Sequence, residues 1–195
     1  GKFLVVGRFD LSDRGYLGFE DFCVLNGWAS KAKYDGSYEG ASRQIKAYVS
    51  PALLSQALED FFKIVALSAG LKNGDAHLKN FGVLYDNCGA QASIRLAPAY
   101  DIITTSVYIK NDSLALLLGG SKAWPKNKVL MRFGRTACNL TEGRCNELLQ
   151  QVVAAGYVPV LTFHPGSQSK EPQVYVRHVE AAARIAKNAG VTVTK

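Results

Sequence analysis

The chain has 195 residues, 48% of them hydrophobic and 20% charged, with a formal net charge of +7. That is enough apolar material for one sizeable core and too little charge for disorder. No run of about 18 apolar residues occurs, so no membrane span is predicted. The four cysteines, Cys23, Cys88, Cys138 and Cys145, form no CxxC pair, which points to packing thiols in a reduced, cytoplasmic setting.

In chain order, Phe3 to Phe9 (FLVVGRF) reads as a buried strand, too short and too quickly interrupted by charge for a signal segment. DLSDRGYLG is turn-rich, and FEDFCVLNG reads as a short helix ended by Gly27. SKAKYDGSYEGAS is a polar loop long enough to suspect function, with a short helix from Arg43 to Val49 after it. Ser50 then reads as the cap of a new helix with Pro51 in its first position. Leu54, Ala57, Leu58, Phe61, Phe62, Val65 and Leu67 recur near a 3.6 period, so this helix is expected to be well buried up to Gly70.

Next comes NGDAHLKNFGVLYD, Asn73 to Asp86. Its first half packs amides, an acid, an imidazole and an ammonium together, and its second half turns apolar. FGVLYD reads as a strand, NCGAQ as a turn and ASIRLAP as the return strand of a hairpin. AYDIITTS places Asp101 just past the hairpin's end. Leu114 to Leu118 form another apolar run, and GGSKAWPKNK breaks it. Thr141 opens a capped helix in TEGRCNELLQQVVAAG, and a last helix is expected over Gln173 to Asn188, with 166–172 the best hinge within one domain. The order predicts a mostly helical α+β lobe. No acid occurs between Ser113 and Thr141, while Lys122, Lys126, Lys128, Arg132 and Arg135 do, so this segment is either a phosphate-attracting patch or a solvated loop.

A hairpin returns its far end beside its start. Asp75, Asn80 and Asp101 can therefore converge across 26 positions. An acid, an amide oxygen and a second acid suit phosphoryl transfer: hard oxygens for magnesium and a carboxylate to take a hydroxyl proton. His77 and Lys79 add groups that could face a phosphate. NGD by itself is also an ordinary turn. A zinc site fits poorly, because His77 has no ligand at i+4 and the cysteines are remote.

NGDAHLKNFGVLYD followed by RLAPAYDIITT, with RFD, EDFCVLNG and KYDGSYEG in order before them, resembles the HipA-like protein kinases, toxins of HipAB-type toxin–antitoxin pairs. The resemblance runs from about Phe3 to Val158. It implies a serine/threonine kinase using ATP and Mg2+, with Asp75 as catalytic base and Asn80 and Asp101 as metal ligands. It further implies that His77, Leu78, Lys79 and Asn80 line the nucleotide phosphates, that Tyr100 flanks the metal, and that Gly7, Arg8 and Phe9 match the interlobe linker at the adenine. Lys72 stands where a glycine is common in the family.

The implied fold is a mostly helical C-terminal lobe with a short hairpin at the site, residues 1–195 being that lobe. No Gly-rich loop and no ATP-binding lysine can be placed before Asp75. The N-terminal lobe is thus expected to be missing, and the chain by itself to bind ATP weakly and turn over little. Implied partners are a protein substrate, such as an aminoacyl-tRNA synthetase, and a small DNA-binding antitoxin, with no membrane. Two other readings stay open: a non-catalytic nucleotide- or partner-binding module derived from such a kinase, and a small-molecule or lipid kinase lobe, whose acid, histidine and asparagine spacing DAHLKN also fits.

Overall fold

In the computed structural model, the described residues are 8–89, 92–107 and 109–156. Gly7, most of the first expected strand, the hinge at 166–172 and the expected last helix lie outside them. Arg8 and Phe9, at the end of that first stretch, are not in a strand. The architecture is α+β with helices predominating.

The centre is helix α3, Pro51–Gly70, in which every residue from Phe61 to Ala69 is buried. A helix apolar on all sides must be enclosed on all sides, and its neighbours do this. Helix α2 (Tyr38–Tyr48) lies along it, and helices α4 (Asn127–Thr136) and α5 (Glu142–Gly156) cover another flank. The Arg144 guanidinium fixes α5 to α3 through a two-pronged contact with Glu59, at 2.8 and 2.7 Å, and also reaches Glu147 at 2.8 Å. Thr141 caps α5 as expected, its hydroxyl accepting the Arg144 N–H at 3.2 Å.

A small hairpin, β1 (Leu11–Ser12) and β2 (Gly15–Tyr16), opens the described chain where the sequence reads as turn-rich. A three-stranded antiparallel sheet follows in the order β3 (Gly18–Asp21), β4 (Gly82–Tyr85), β5 (Ile94–Leu96). Strands β4 and β5 are the expected hairpin, in register Val83 to Leu96 and Tyr85 to Ile94. Strand β3 is not expected from the sequence, because Phe19 and Phe22 at i and i+3 imitate a helical stripe. In fact the chain stays extended against β4 through Asp21, and only Phe22–Leu25 forms helix α1, capped by the Asp21 carboxylate on Val24 N–H at 2.9 Å.

Two further expectations are corrected, and one helix goes unpredicted. Ser50 does not cap α3 with its side chain: its Oγ accepts from Ile94 N–H at 2.9 Å, and its own N–H donates to Ile94 O, stitching α3 to β5. Helix α2 starts at Tyr38, not at Arg43, with Ser37 Oγ accepting from Gly40 N–H. Helix α4 goes unread in sequence because the proline- and glycine-rich stretch ahead of it and Gly134 inside it look like breakers. Gly134 is instead a packing contact: a Cβ there would lie 2.5 Å from Cys145 Sγ and 2.8 Å from the Phe62 ring, where α3, α4 and α5 meet.

Gly134→Ala is therefore expected to destabilise the protein despite alanine's helix propensity, which is worth about 1 kcal/mol. Overpacking of about 1–3 kcal/mol should outweigh it. The measurement is a lowered urea midpoint at unchanged slope; an unchanged or raised midpoint would show that Cys145 and Phe62 yield freely.

Candidate active site

Helix α3 ends in two backbone bonds, Lys72 N–H to Ala69 O and Asn73 N–H to Ser68 O, at 3.3 and 2.8 Å. This reversal requires a left-handed residue at position 72, where glycine is usual. Lys72 has φ +56°, so the lysine is held in a conformation that costs a side-chain-bearing residue about 1–2 kcal/mol. Its ammonium lies 4.8 Å from the centre of the Trp124 ring, a cation–π contact that offsets part of that cost.

The reversal delivers the polar loop. Asn73 is buried and its Oδ1 accepts the Asp75 N–H at 3.1 Å. The Thr105 hydroxyl accepts from Gly74 N–H at 2.6 Å and sits between the Lys72 carbonyl and the Asp112 carboxylate. A Cβ on residue 74 would fall 2.3 Å from Asp112 Oδ1, so the close approach of this carboxylate requires glycine. Further along, Ala76, Leu78 and Phe81 point into the core. Phe81 packs among Phe22, Tyr38 and Phe61, and the Tyr38 hydroxyl donates to Ala76 O at 3.1 Å. Leu78 is thus a core residue whose side chain is closed to a ligand.

With the apolar positions anchored, the polar ones are fixed. Asn80 Oδ1 accepts the His77 N–H at 3.1 Å, and Asn80 Nδ2 donates to Asp101 Oδ2 at 2.9 Å. Asp101 is exposed, with φ +54°, a left-handed backbone that a short polar side chain tolerates better than most. The Tyr100 hydroxyl donates to the Lys79 carbonyl, and its ring meets Phe9 at 5.1 Å and Phe19 at 6.1 Å. Asp75 is part-exposed; its Oδ1 accepts from the Tyr34 hydroxyl at 2.6 Å and lies 3.8 Å from His77 Nε2.

The side chains of two residues expected at the nucleotide, Lys79 at the phosphates and Arg8 at the adenine linker, are engaged elsewhere. The Lys79 ammonium is 2.5 Å from Asp21 Oδ2. The Arg8 guanidinium grips Asp10 and lies over the Tyr16 ring. Tyr34, Asp21, Thr105 and Asp112 were not singled out by sequence. Tyr34, Asp21 and Thr105 lie within the motifs KYDGSYEG, EDFCVLNG and RLAPAYDIITT, whereas Asp112 carried no signal. The cavity lined by Asp60, Ile64, Arg95 and Ala97 involves none of the expected site residues.

The donor set suits magnesium. Asn80 Oδ1 retains a second lone pair beyond its bond to His77 N–H, and the Asp101 carboxylate is open to solvent. One amide oxygen and one carboxylate, with water and substrate oxygens completing the shell, is how magnesium is commonly held. Among the described residues there is no cluster of three or more His, Cys, Asp or Glu that could hold a metal.

His77 is 6% exposed, and its Nδ1 is buried with no hydrogen-bond partner among the described residues. Burial depresses its pKa below the usual 6.5, opposed by Asp75. The folded state therefore resists protonation. Its contribution to stability is whole above about pH 6.5 and is lost as pH falls toward the lower folded value. In metal-free buffer, Tm should fall between about pH 7 and pH 5, and His77→Gln should flatten that fall. An equal slope in both proteins would remove His77 from the account.

The family model of the HipA-like C-terminal domain matches residues 1–157. A protein of Sinorhizobium fredii provisionally named kinase Y4dM is 33% identical over 118 residues, 60% of this chain and 27% of that protein. The solved HipA of Shewanella oneidensis MR-1, in its complex with HipB and operator DNA, superposes with a TM-score of 0.59 at 17% identity, over 94% of this chain and 48% of that one. At that identity the likeness is one of fold, and the chain spans half or less of these relatives' lengths. On the family match, which takes in Asp75, Asn80 and Asp101, the chain belongs to the HipA-like C-terminal domain family.

Proposed function

We propose that this chain is the catalytic lobe of an ATP-dependent serine/threonine protein kinase of the HipA type, with Asp75 as general base and Asn80 and Asp101 as magnesium ligands. The observation that carries this reading is the direct contact of Asn80 with Asp101, on the same loop that holds Asp75 two residues before His77. Bound Mg2+–ATP supplies the γ-phosphoryl group and neutralises its charge. The chain's own residues do the rest. Asp75 accepts the proton of the attacking hydroxyl, while Asn80 and Asp101 offer hard oxygens oriented by His77 N–H and by the Tyr100 to Lys79 bond. Phe9, Phe19 and Tyr100 form an aromatic wall next to Asp101, which suits an adenine ring at the linker. In this reading the phosphate-covering loop and its lysine come from an N-terminal lobe, and the protein acts in the cytoplasm.

The decisive measurement compares the phosphoproteome after expression of the full-length protein, wild type against Asp75→Ala. General-base removal should lower transfer by about 10²- to 10⁴-fold, erasing the phosphosites that depend on the protein. Unchanged phosphosites would reject Asp75 as base. Phosphorylated lipid or sugar in place of protein would favour the small-molecule kinase reading, and no transfer from wild type would favour the binding module.

The partners proposed are a protein carrying the acceptor hydroxyl, such as an aminoacyl-tRNA synthetase, and a small DNA-binding antitoxin. The Shewanella structure contains HipB and operator DNA, and here Lys126, Lys128 and Arg132 are exposed at and along α4. A phosphate-bearing surface nearby should draw on these cations. Charge reversal of Lys126 and Lys128 should weaken antitoxin–DNA binding at low salt and flatten its salt dependence. Unchanged binding would show that α4 faces solvent.

A further inference from the structure

The Asp75 carboxylate has two oxygens, and the structure treats them differently. Oδ1 accepts the Tyr34 hydroxyl at 2.6 Å. His77 Nε2, at 3.8 Å from the same oxygen, is too far for a hydrogen bond. Among the described residues, Tyr34 is the sole hydrogen-bond donor to this carboxylate, and Oδ2 has no protein partner. The Asp75 main chain is held separately, through its N–H to Asn73 Oδ1. Without Tyr34 the carboxylate would be free to turn about its last torsion.

Tyr34 is itself held firmly. The Lys33 carbonyl accepts the Leu78 N–H at 3.1 Å, so the segment bearing the tyrosine is bonded to the loop bearing the aspartate. The Lys122 ammonium donates to Tyr34 O at 3.2 Å. The ring stands edge-on to His77, with centroids 5.1 Å apart, and the Lys33 ammonium lies 4.9 Å from its centre. Burial, reinforced by the bond to Asp75, pushes the Tyr34 hydroxyl up to about 12, so it remains a proton donor at neutral pH.

We propose that Tyr34 is a positioning residue: by occupying Oδ1 it fixes the plane of the Asp75 carboxylate and reserves Oδ2 for the proton of the acceptor hydroxyl. This rests on the reading of Asp75 as general base. In the transfer, the acceptor oxygen bonds to the γ-phosphorus. The bond from that phosphorus to the nucleoside diphosphate breaks with its electron pair on the diphosphate, and the acceptor proton ends on Oδ2. Tyr34 keeps its own proton throughout. A freely turning carboxylate presents Oδ2 correctly only part of the time, and a misplacement of about 1 Å can cost about 10²-fold in rate.

The test uses the full-length protein as wild type, Tyr34→Phe, Asp75→Asn and the double variant. Transfer of labelled γ-phosphate from Mg2+–ATP to proteins of the cell extract and to water is measured under steady-state and single-turnover conditions, with Tm alongside. Tyr34→Phe should lower kcat about tenfold or more, with KM for ATP within about twofold of wild type and Tm little changed. In the Asp75→Asn background the same change should have no further effect, because the two residues act as one unit. A Tyr34→Phe rate equal to or above wild type overturns the proposal. So does a loss that persists in full in the Asp75→Asn background, or one accompanied by a matching fall in Tm, since either marks a purely structural tyrosine. Asp75→Asn at wild-type rate, or no transfer by the wild type, overturns the general-base reading and this inference with it. Full loss in Asp75→Asn with no effect of Tyr34→Phe overturns this inference alone.

Discussion

The amide of Asn80 is the contact on which the site depends. One side chain accepts from the backbone of His77 and donates to the carboxylate of Asp101, so a loop and a strand exit 21 residues apart become one surface. The amide is 8% exposed, and a buried polar group in low dielectric is strongly held by its partners and costly to leave without them. Its orientation follows from the His77 N–H: turning it over would set two donors against each other. The Asn80 amide is thus satisfied internally before any ligand arrives.

The core makes this possible by alternation rather than by rigidity of the loop itself. Ala76, Leu78 and Phe81 are inserted among α1, α2 and α3, and the intervening polar residues are held by what their neighbours bury. Phe81 is in turn the first residue beyond the loop and leads directly into β4. The hydrophobic anchor and the hairpin therefore share one junction, and the contact of Asn80 with Asp101 closes a separation of 21 residues beside it.

Much of this was legible in the chain. Alternating apolar residues either side of a turn implied the β4–β5 hairpin, and a hairpin implied that its two ends meet. The buried stripe of α3 and the Thr141 cap were equally plain, because each depends on residues within a few positions. What stayed hidden depends on distance or on dual use of a residue type. Tyr34 is 41 positions from the carboxylate it contacts, Asp21 is 58 from Lys79, and Asp112 reaches back to Gly74. Gly134 gave no sign in the sequence of the packing contact it makes with Cys145 and Phe62. Ser50 looked like a cap and is bonded to a strand. The left-handed backbone at Lys72 is set by the reversal that ends α3 and leaves no mark in the sequence.

Tyr100 joins two mechanical systems. Its hydroxyl is fastened to the carbonyl of Lys79, and its ring is stacked obliquely on Phe9, in the segment that also carries Arg8 and Asp10. The next residue is Asp101. The Phe9 segment therefore packs directly against the residue that precedes the exposed carboxylate, and the aromatic contact ties the placement of that segment to the backbone carrying Asp101.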